Sequence, residues 1–183
     1  YAAAKDGKPV TTKNKDISKT LKRSEVFFLL RRTYRTSGKR NVCTYTRILR
    51  TNKNRTFLTF MGEHEKDQNY NKREVYLTTR KGSSKQRNYM TVSYAGYGQP
   101  GIEYKMIFDD GKGCSVLNVT KDERQGSKEK SLVGECEMWA TKKVAPTINV
   151  MARCEDAYWD NCNPDTDKED TPYVTSCKDP PKK

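Results

Sequence analysis

Six cysteines constrain this chain more than any other feature: Cys43, Cys114, Cys136, Cys154, Cys162 and Cys177. The count is even and no two form a CxxC pair. That argues for three disulfides rather than a metal site or a redox motif. Disulfides persist in oxidising compartments, so the chain is expected to be secreted and extracellular. Two sequons, Asn54-Arg55-Thr56 and Asn118-Val119-Thr120, fit secretion and mark Asn54 and Asn118 as surface glycosylation sites. Six cysteines allow many connectivities, and sequence alone does not choose among them.

At 183 residues the chain is long enough for one domain with a core of its own. The apolar fraction is low, 33%, and the mean hydropathy is −1.01, which suits a hollow or thin-walled fold stapled by disulfides. No run of about eighteen apolar residues exists, so no membrane-spanning helix is expected. No signal peptide is recognisable, which would put Tyr1 at or near a processed N-terminus.

The net charge of +13 is unevenly spread: residues 1–55 hold 16 Lys and Arg against 3 Asp and Glu, and residues 56–183 hold 20 of each. Such an excess attracts anions, whether nucleic acid, a glycosaminoglycan or an acidic ligand, or else forms a solvated basic tail and rim. A disulfide-rich chain with no finger or RNP-type motif is not expected to bind nucleic acid.

Residues 1–15 read as a flexible basic arm. Asp16–Leu21 reads as a short helix capped by Asp16 or Asn14. Strand-forming runs follow at Val26–Arg35, Val42–Arg50, Thr56–Met61, Lys72–Thr79, Tyr89–Tyr97, Ile102–Phe108, Ser115–Val119 and Leu132–Ala140. Ile102, Tyr104, Met106 and Phe108 alternate along one face, with Glu103 and Lys105 on the other. About eight short strands with turn signals between them predict an antiparallel meander or barrel. A later helix is expected over Pro146–Asp160, proline being tolerated in a first turn. Residues 16–177 would form the domain and 178–183 a loose polar tail.

Nothing supports catalysis. His64 is the only histidine and lies in a polar loop between Glu63 and Glu65. No nucleophile elbow is present, and all six cysteines can pair. Gly111-Lys112-Gly113 is too short for a phosphate loop and reads as a hairpin turn. Asp165, Asp167, Glu169 and Asp170 would make a weak calcium site at most, and such a run is more commonly a solvated acidic loop. The chain is read as a binding protein with no cofactor and no metal, acting as a monomer.

Cys136-Glu137-Met138-Trp139 resembles the Glu-Leu-Trp signature of tick salivary lipocalins, the histamine-binding protein family. The run Val26–Tyr34 resembles that family's first strand. Asp109-Asp110 before Cys114, then Ser115-Val116-Leu117, resembles its Asp-Asp-x-Cys hairpin. Thr175-Ser176-Cys177 resembles its C-terminal cysteine, and Asp16–Leu21 the short helix that plugs the barrel. The match runs from about Asp16 to Cys177. It implies an all-β fold: an eight-stranded antiparallel lipocalin barrel with a short N-terminal helix and a C-terminal helix. It also implies bridges Cys43–Cys177 and Cys114–Cys154, which leaves Cys136 with Cys162.

The resemblance implies a pocket for a small host mediator. Amine-binding members line that pocket with carboxylates. Carried across by motif, the acids near the mouth fall on Lys22 and Ser37, the acid after the hairpin cysteine on Ser115, and a mid-barrel acid on Tyr104 or, one register away, Lys105. Only Glu137 survives. If Tyr34 points inward as in the family, Arg32, Leu30 and Phe28 share its face. Arg32 would then hold an anion, pair with Glu137 or Glu135, or snorkel at the rim. Phe57, Tyr89, Tyr94, Tyr104, Met106 and Trp139 complete the expected wall.

Three readings follow: a scavenger of an acidic lipid such as a leukotriene or fatty acid, which the lost acids favour; a scavenger of histamine or serotonin through Glu137; or a protein acting by its surface on a host partner, with a neutral lipid in the barrel.

Overall fold

The computed structural model describes residues 16–36, 42–53, 55–64, 71–150 and 152–182. The expected arm over residues 1–15, Ser37 and the Asn54 sequon position lie outside them. Eight runs rich in β-branched and aromatic residues form strands: β1 (Val26–Arg32), β2 (Val42–Asn52), β3 (Thr56–His64), β4 (Asn71–Arg80), β5 (Tyr89–Ser93), β6 (Ile102–Asp109), β7 (Cys114–Asp122) and β8 (Cys136–Thr141). Each pairs antiparallel with its sequence neighbour, and β8 returns to β1, closing the barrel. Closure leaves no unpaired edge to template aggregation.

The strands end where their local chemistry changes. β1 stops at Arg32, before Tyr34, and β5 stops at Ser93. β3 runs on to His64, which the sequence placed in a loop. At the mouth, Gly101 precedes β6 so closely against β5 that a Cβ there would fall 2.0 Å from the Val92 carbonyl oxygen. No other residue fits without moving backbone. At the opposite end, Asp110 Oδ1 accepts from the amides of Lys112, Gly113 and Cys114 at 2.7, 3.0 and 2.9 Å. Gly111-Lys112-Gly113 is therefore a hairpin turn held by an aspartate.

Helix α1 (Ile17–Leu21) closes that end. Asp16 caps it, accepting from Ser18 N at 3.0 Å and Lys19 N at 3.3 Å. Ile17 and Leu21 are buried in the barrel, and Thr20 Oγ1 donates to Asp109 Oδ2 at 2.6 Å. The second helical region begins as a 3₁₀ segment, Ala145–Val150, and continues as α2 (Ala152–Cys162).

All three disulfides are those the resemblance implied: Cys43–Cys177, Cys114–Cys154 and Cys136–Cys162. Two of them bolt α2 to β7 and β8. The third closes a loop with a sequence separation of 134, which in a chain-entropy account stabilises by about 5 kcal/mol. The tail beyond it is not loose. The Pro180 carbonyl accepts from Arg47 Nη2 at 2.8 Å and Asp179 pairs with Lys142 at 2.9 Å, so residues 178–182 are strapped along the outside of the barrel.

Strand alternation builds two apolar clusters. The outer one joins Val26, Phe28, Leu30, Val116, Met138 and Ala140 to Ala157 and Tyr158 of α2. The inner one joins Phe27, Leu29, Phe57, Leu77, Met90, Tyr104, Met106 and Trp139 to Ile17 and Leu21 of α1.

Candidate ligand-binding site

Parity settles which expected wall residues face the lumen. On β8, Glu137 and Trp139 point in while Met138 and Ala140 point out. β1 pairs Leu29 with Trp139, Arg31 with Met138 and Arg32 with Glu137, the register shifting between Leu29 and Arg31. That bulge lets Leu30 and Arg31 both face outward before Arg32 turns to the mouth. Phe28 and Leu30 are therefore not lumen residues. They lie beneath α2, and Phe27 and Leu29 take the inward places. Strict alternation back from Tyr34 fails because of this extra residue. Tyr89 is also outside: Met90 and Val92 are inward, and Tyr89 sits between Arg80 at 4.0 Å and Lys105 at 5.8 Å on the outer surface. With Lys105 outward, the mid-barrel position belongs to Tyr104. Lys22 caps the C-terminus of α1 at the closed end, not the mouth.

Phe57, Tyr104, Met106, Glu137 and Trp139 do face the lumen, and all are buried. Tyr94 is half exposed at the mouth, with the Arg73 guanidinium 4.6 Å over its ring.

Arg32 is 4% exposed and does not pair with Glu137 or Glu135. Its Nε and Nη2 donate to Asp170 Oδ2 at 3.0 and 2.7 Å, and the backbones of Arg32 and Asp170 exchange two hydrogen bonds at 2.9 Å. Burial opposes the charge of Arg32, but the carboxyl groups of Asp170 and Glu137 outweigh it and hold the pKa above the ordinary arginine value. Its neighbour Arg31, facing out, reaches Glu169 at 3.0 Å and Glu155 at 3.3 Å. The acidic run is thus neither a calcium loop nor fully solvated: Glu169 and Asp170 serve consecutive arginines on opposite faces of β1. Glu135 instead accepts from Thr33 Oγ1.

Glu137 stands at the waist of the barrel. Its Oε1 accepts from Tyr34 Oη at 2.6 Å and Tyr104 Oη at 3.0 Å, and its Oε2 from Trp139 Nε1 at 2.7 Å. Burial and then the Glu137 charge push both tyrosine hydroxyls well above their ordinary pKa, so they stay protonated donors. All three donors are neutral, and among the described residues no lysine or arginine forms an ion pair with Glu137.

Two cavities meet at this waist. A vestibule of about 720 Å³ opens at the mouth, lined by Arg32, Tyr34, Arg73, Tyr94, Arg124 and Glu129 among others. A chamber of about 50 Å³ lies below, lined mainly by Ile17, Leu21, Phe27, Leu77, Met90 and Leu117. Met61, Val92, Tyr104, Glu137 and Trp139 line both. Ser115 and Thr46 add hydroxyls to the lower chamber, and among the described residues Thr46 Oγ1 is buried without a hydrogen-bond partner. An apolar pocket with a few convergent polar groups is the general form of a small-molecule site.

Sequence reasoning missed Phe27, Leu29, Thr46, Leu77, Met90, Val92, Leu117 and Asp170. The run Val26–Leu30 is apolar throughout, so its pattern carried no facing signal. Asp170 reaches Arg32 across 138 residues of sequence and left no local trace. Asn118 is half buried in β7, with Nδ2 donating to the carbonyls of Gly134 and Glu135 at 3.2 and 3.4 Å, bonds with which a glycan would compete.

Lobster apocrustacyanin A1 is similar in structure with a TM-score of 0.55, covering 92% of this chain and 92% of that chain at 15% identity. Insecticyanin of the tobacco hornworm Manduca sexta gives 0.56 over 92% and 85% at 12% identity. Japanin from Rhipicephalus appendiculatus, bound to cholesterol, gives 0.52 over 84% and 95% at 12% identity. At these identities the likeness is one of fold. No curated protein matches the chain. The family model described as tick histamine binding protein matches residues 6–179, and the chain with this barrel and its glutamate at the waist belongs to that family of binding proteins, which are not enzymes.

Proposed function

We propose that the barrel sequesters a small cationic amphiphile, of the arylalkylamine kind, with its ammonium on Glu137 and its apolar body against Trp139, Tyr104 and the lower chamber. The observation that carries this reading is the buried Glu137 carboxylate held by three neutral donors. A buried carboxyl that forms no ion pair among the described residues favours a cation, and aromatic faces add cation–π attraction. The acidic lipid expected from the sequence was to be held by Arg32. That guanidinium is already bound by Asp170, and a ligand acid there would approach Glu137 as well. Secretion and scavenging of a host mediator are the setting this reading assumes.

One observation favours a second reading. Arg73 at the mouth stacks on Tyr94 and pairs with no described carboxylate. That arrangement suits an acidic lipid lying tail-down with its carboxylate at the rim. Calorimetry of the wild type, Glu137→Gln and Arg73→Ala with histamine, tryptamine, a leukotriene, a fatty acid and cholesterol separates the two. The first reading expects amine binding that Glu137→Gln weakens roughly tenfold or more, as the loss of a charge-assisted hydrogen bond does. Fatty-acid binding that weakens in Arg73→Ala, with no amine bound, would replace it by the second.

A further inference from the structure

The two ends of the barrel differ in charge. An antiparallel meander sends alternate connections to opposite ends. The closed end carries residues 16–25, 50–56, 79–88, 109–114 and 141–144, which together hold 13 Lys and Arg against 4 Asp and Glu. Among the described residues, the mouth segments 32–36, 61–64, 71–74, 93–102 and 121–137 hold 8 against 7. A basic excess therefore lies at one pole of the described barrel, six of its 13 bases coming from the N-terminal third.

Three of those bases are taken up by ion pairs, Arg23 with Asp109, Arg80 with Glu103 and Lys142 with Asp179, and the closed-end acids do little to neutralise the rest. Asp16 caps α1, Asp110 is taken up by hairpin amides, and Asp109 is buried against Thr20 and Arg23. Lys19, Lys53, Arg55, Lys81 and Lys85 are exposed, and among the described residues none of them forms an ion pair. Their segments adjoin. Ile17 N donates to the Arg87 carbonyl at 2.8 Å, setting α1 against the β4–β5 loop. Thr79 N donates to the Arg55 carbonyl at 2.7 Å, setting the β2–β3 turn against the same loop. Bases from three adjoining connections thus share the closed end.

We infer that this closed end is a binding site for a sulfated polysaccharide. The surface offers charge with little stacking: among the described residues Tyr94, Tyr97, Val133 and Val174 lie elsewhere, Leu49 is near, beside Arg50, and the half-buried Tyr89 is already covered by Arg80. Single-stranded nucleic acid wants aromatic platforms, and a membrane surface wants inserted apolar side chains. A dense polyanion of sulfates and carboxylates needs neither, and three disulfides fit the oxidising compartments where such polymers occur. Because the site lies opposite the mouth, a tethered molecule keeps its vestibule open to solvent. The inference does not depend on what the barrel binds.

Immobilised heparin, titrated with the whole protein at several salt concentrations, tests it. Lys53→Glu/Arg55→Glu/Lys85→Glu alters the closed end, and Lys72→Glu/Lys128→Glu/Lys130→Glu makes the same change of net charge at the mouth. The wild type is expected to bind at physiological salt. The closed-end triple should bind at least tenfold more weakly, with its salt slope reduced by about 3, and the mouth triple should stay within about twofold. Matching glutamine triples should show a smaller loss in the same order, and unchanged melting temperatures confirm folding. No heparin binding, or equal loss in both triples, overturns the site. Tighter binding of duplex DNA or phosphatidylserine vesicles than of heparin overturns the class of ligand.

Discussion

The two apolar clusters share strands β1, β7 and β8 but not a purpose. Outward residues Phe28, Val116, Met138 and Ala140 meet α2 in a core flanked by two disulfides. Inward residues one position away, Phe27, Leu117, Glu137 and Trp139, line a hollow that contains a carboxylate. The outer cluster is packed like an interior, where every lost methylene costs stability. The inner one keeps space and a buried charge, both unfavourable for folding and both useful for binding. A period of two residues therefore separates stability from function along the same backbone.

The comparison breaks most visibly at the rim that joins the clusters. Arg32→Ala takes the guanidinium away from Asp170, in a site where both side chains are about 95% buried. We expect a loss of about 3–5 kcal/mol in denaturant unfolding. A loss under about 1 kcal/mol would mean that Asp170 is reached by water. Phe28→Ala tests the outer cluster. It should cost about 3–5 kcal/mol while leaving ligand affinity per folded molecule unchanged. An affinity loss instead would return Phe28 to the lumen.

Glu137→Gln tests the inner cluster and should show the opposite pattern. Ligand affinity should fall by about 1.5–3 kcal/mol by calorimetry, with a melting temperature shifted by a few degrees at most. A collapse of the fold would make the glutamate structural. Asp122 offers a pH probe at the mouth. Hydrogen bonds from Arg124 hold its pKa down to about 2, against an ordinary 3.8. A folded pKa below the unfolded one stabilises fully above pH 4, and that contribution fades as pH falls through about 2. Asp122→Asn should therefore be less stable than wild type at neutral pH, with the gap closing between pH 4 and 2 in acid unfolding. A constant gap would show that the ion pair has no part in it. Tyr89→Phe is the smallest expected effect, no change in ligand affinity beyond error, because that ring lies outside the barrel.

Much of the fold was legible. Strand-forming runs, turn residues and six cysteines led to the barrel, and the family motifs implied the bridge pattern. Part of the site was legible where alternation was clean: Tyr104 and Met106 follow from Ile102–Phe108, and Glu137 with Trp139 from their motif. Phe28, Leu30, Tyr89 and Phe108 were assigned to the wrong face, Phe108 because β6 shifts register after Met106 and turns it into the outer cluster. One bulge residue at Leu30 reverses every side chain before it, and no local propensity records a bulge.

The sequence by itself determined the strands, the oxidised cysteines and the excess of positive charge, because propensity, composition and pairing capacity are local or additive. Only the tertiary structure decided that Asp170 would pair with Arg32, that Glu137 would be met by three neutral donors, and that bases from several connections would meet at the closed end. Those outcomes depend on register and on contacts across more than a hundred residues, where a shift of one position exchanges inside for outside.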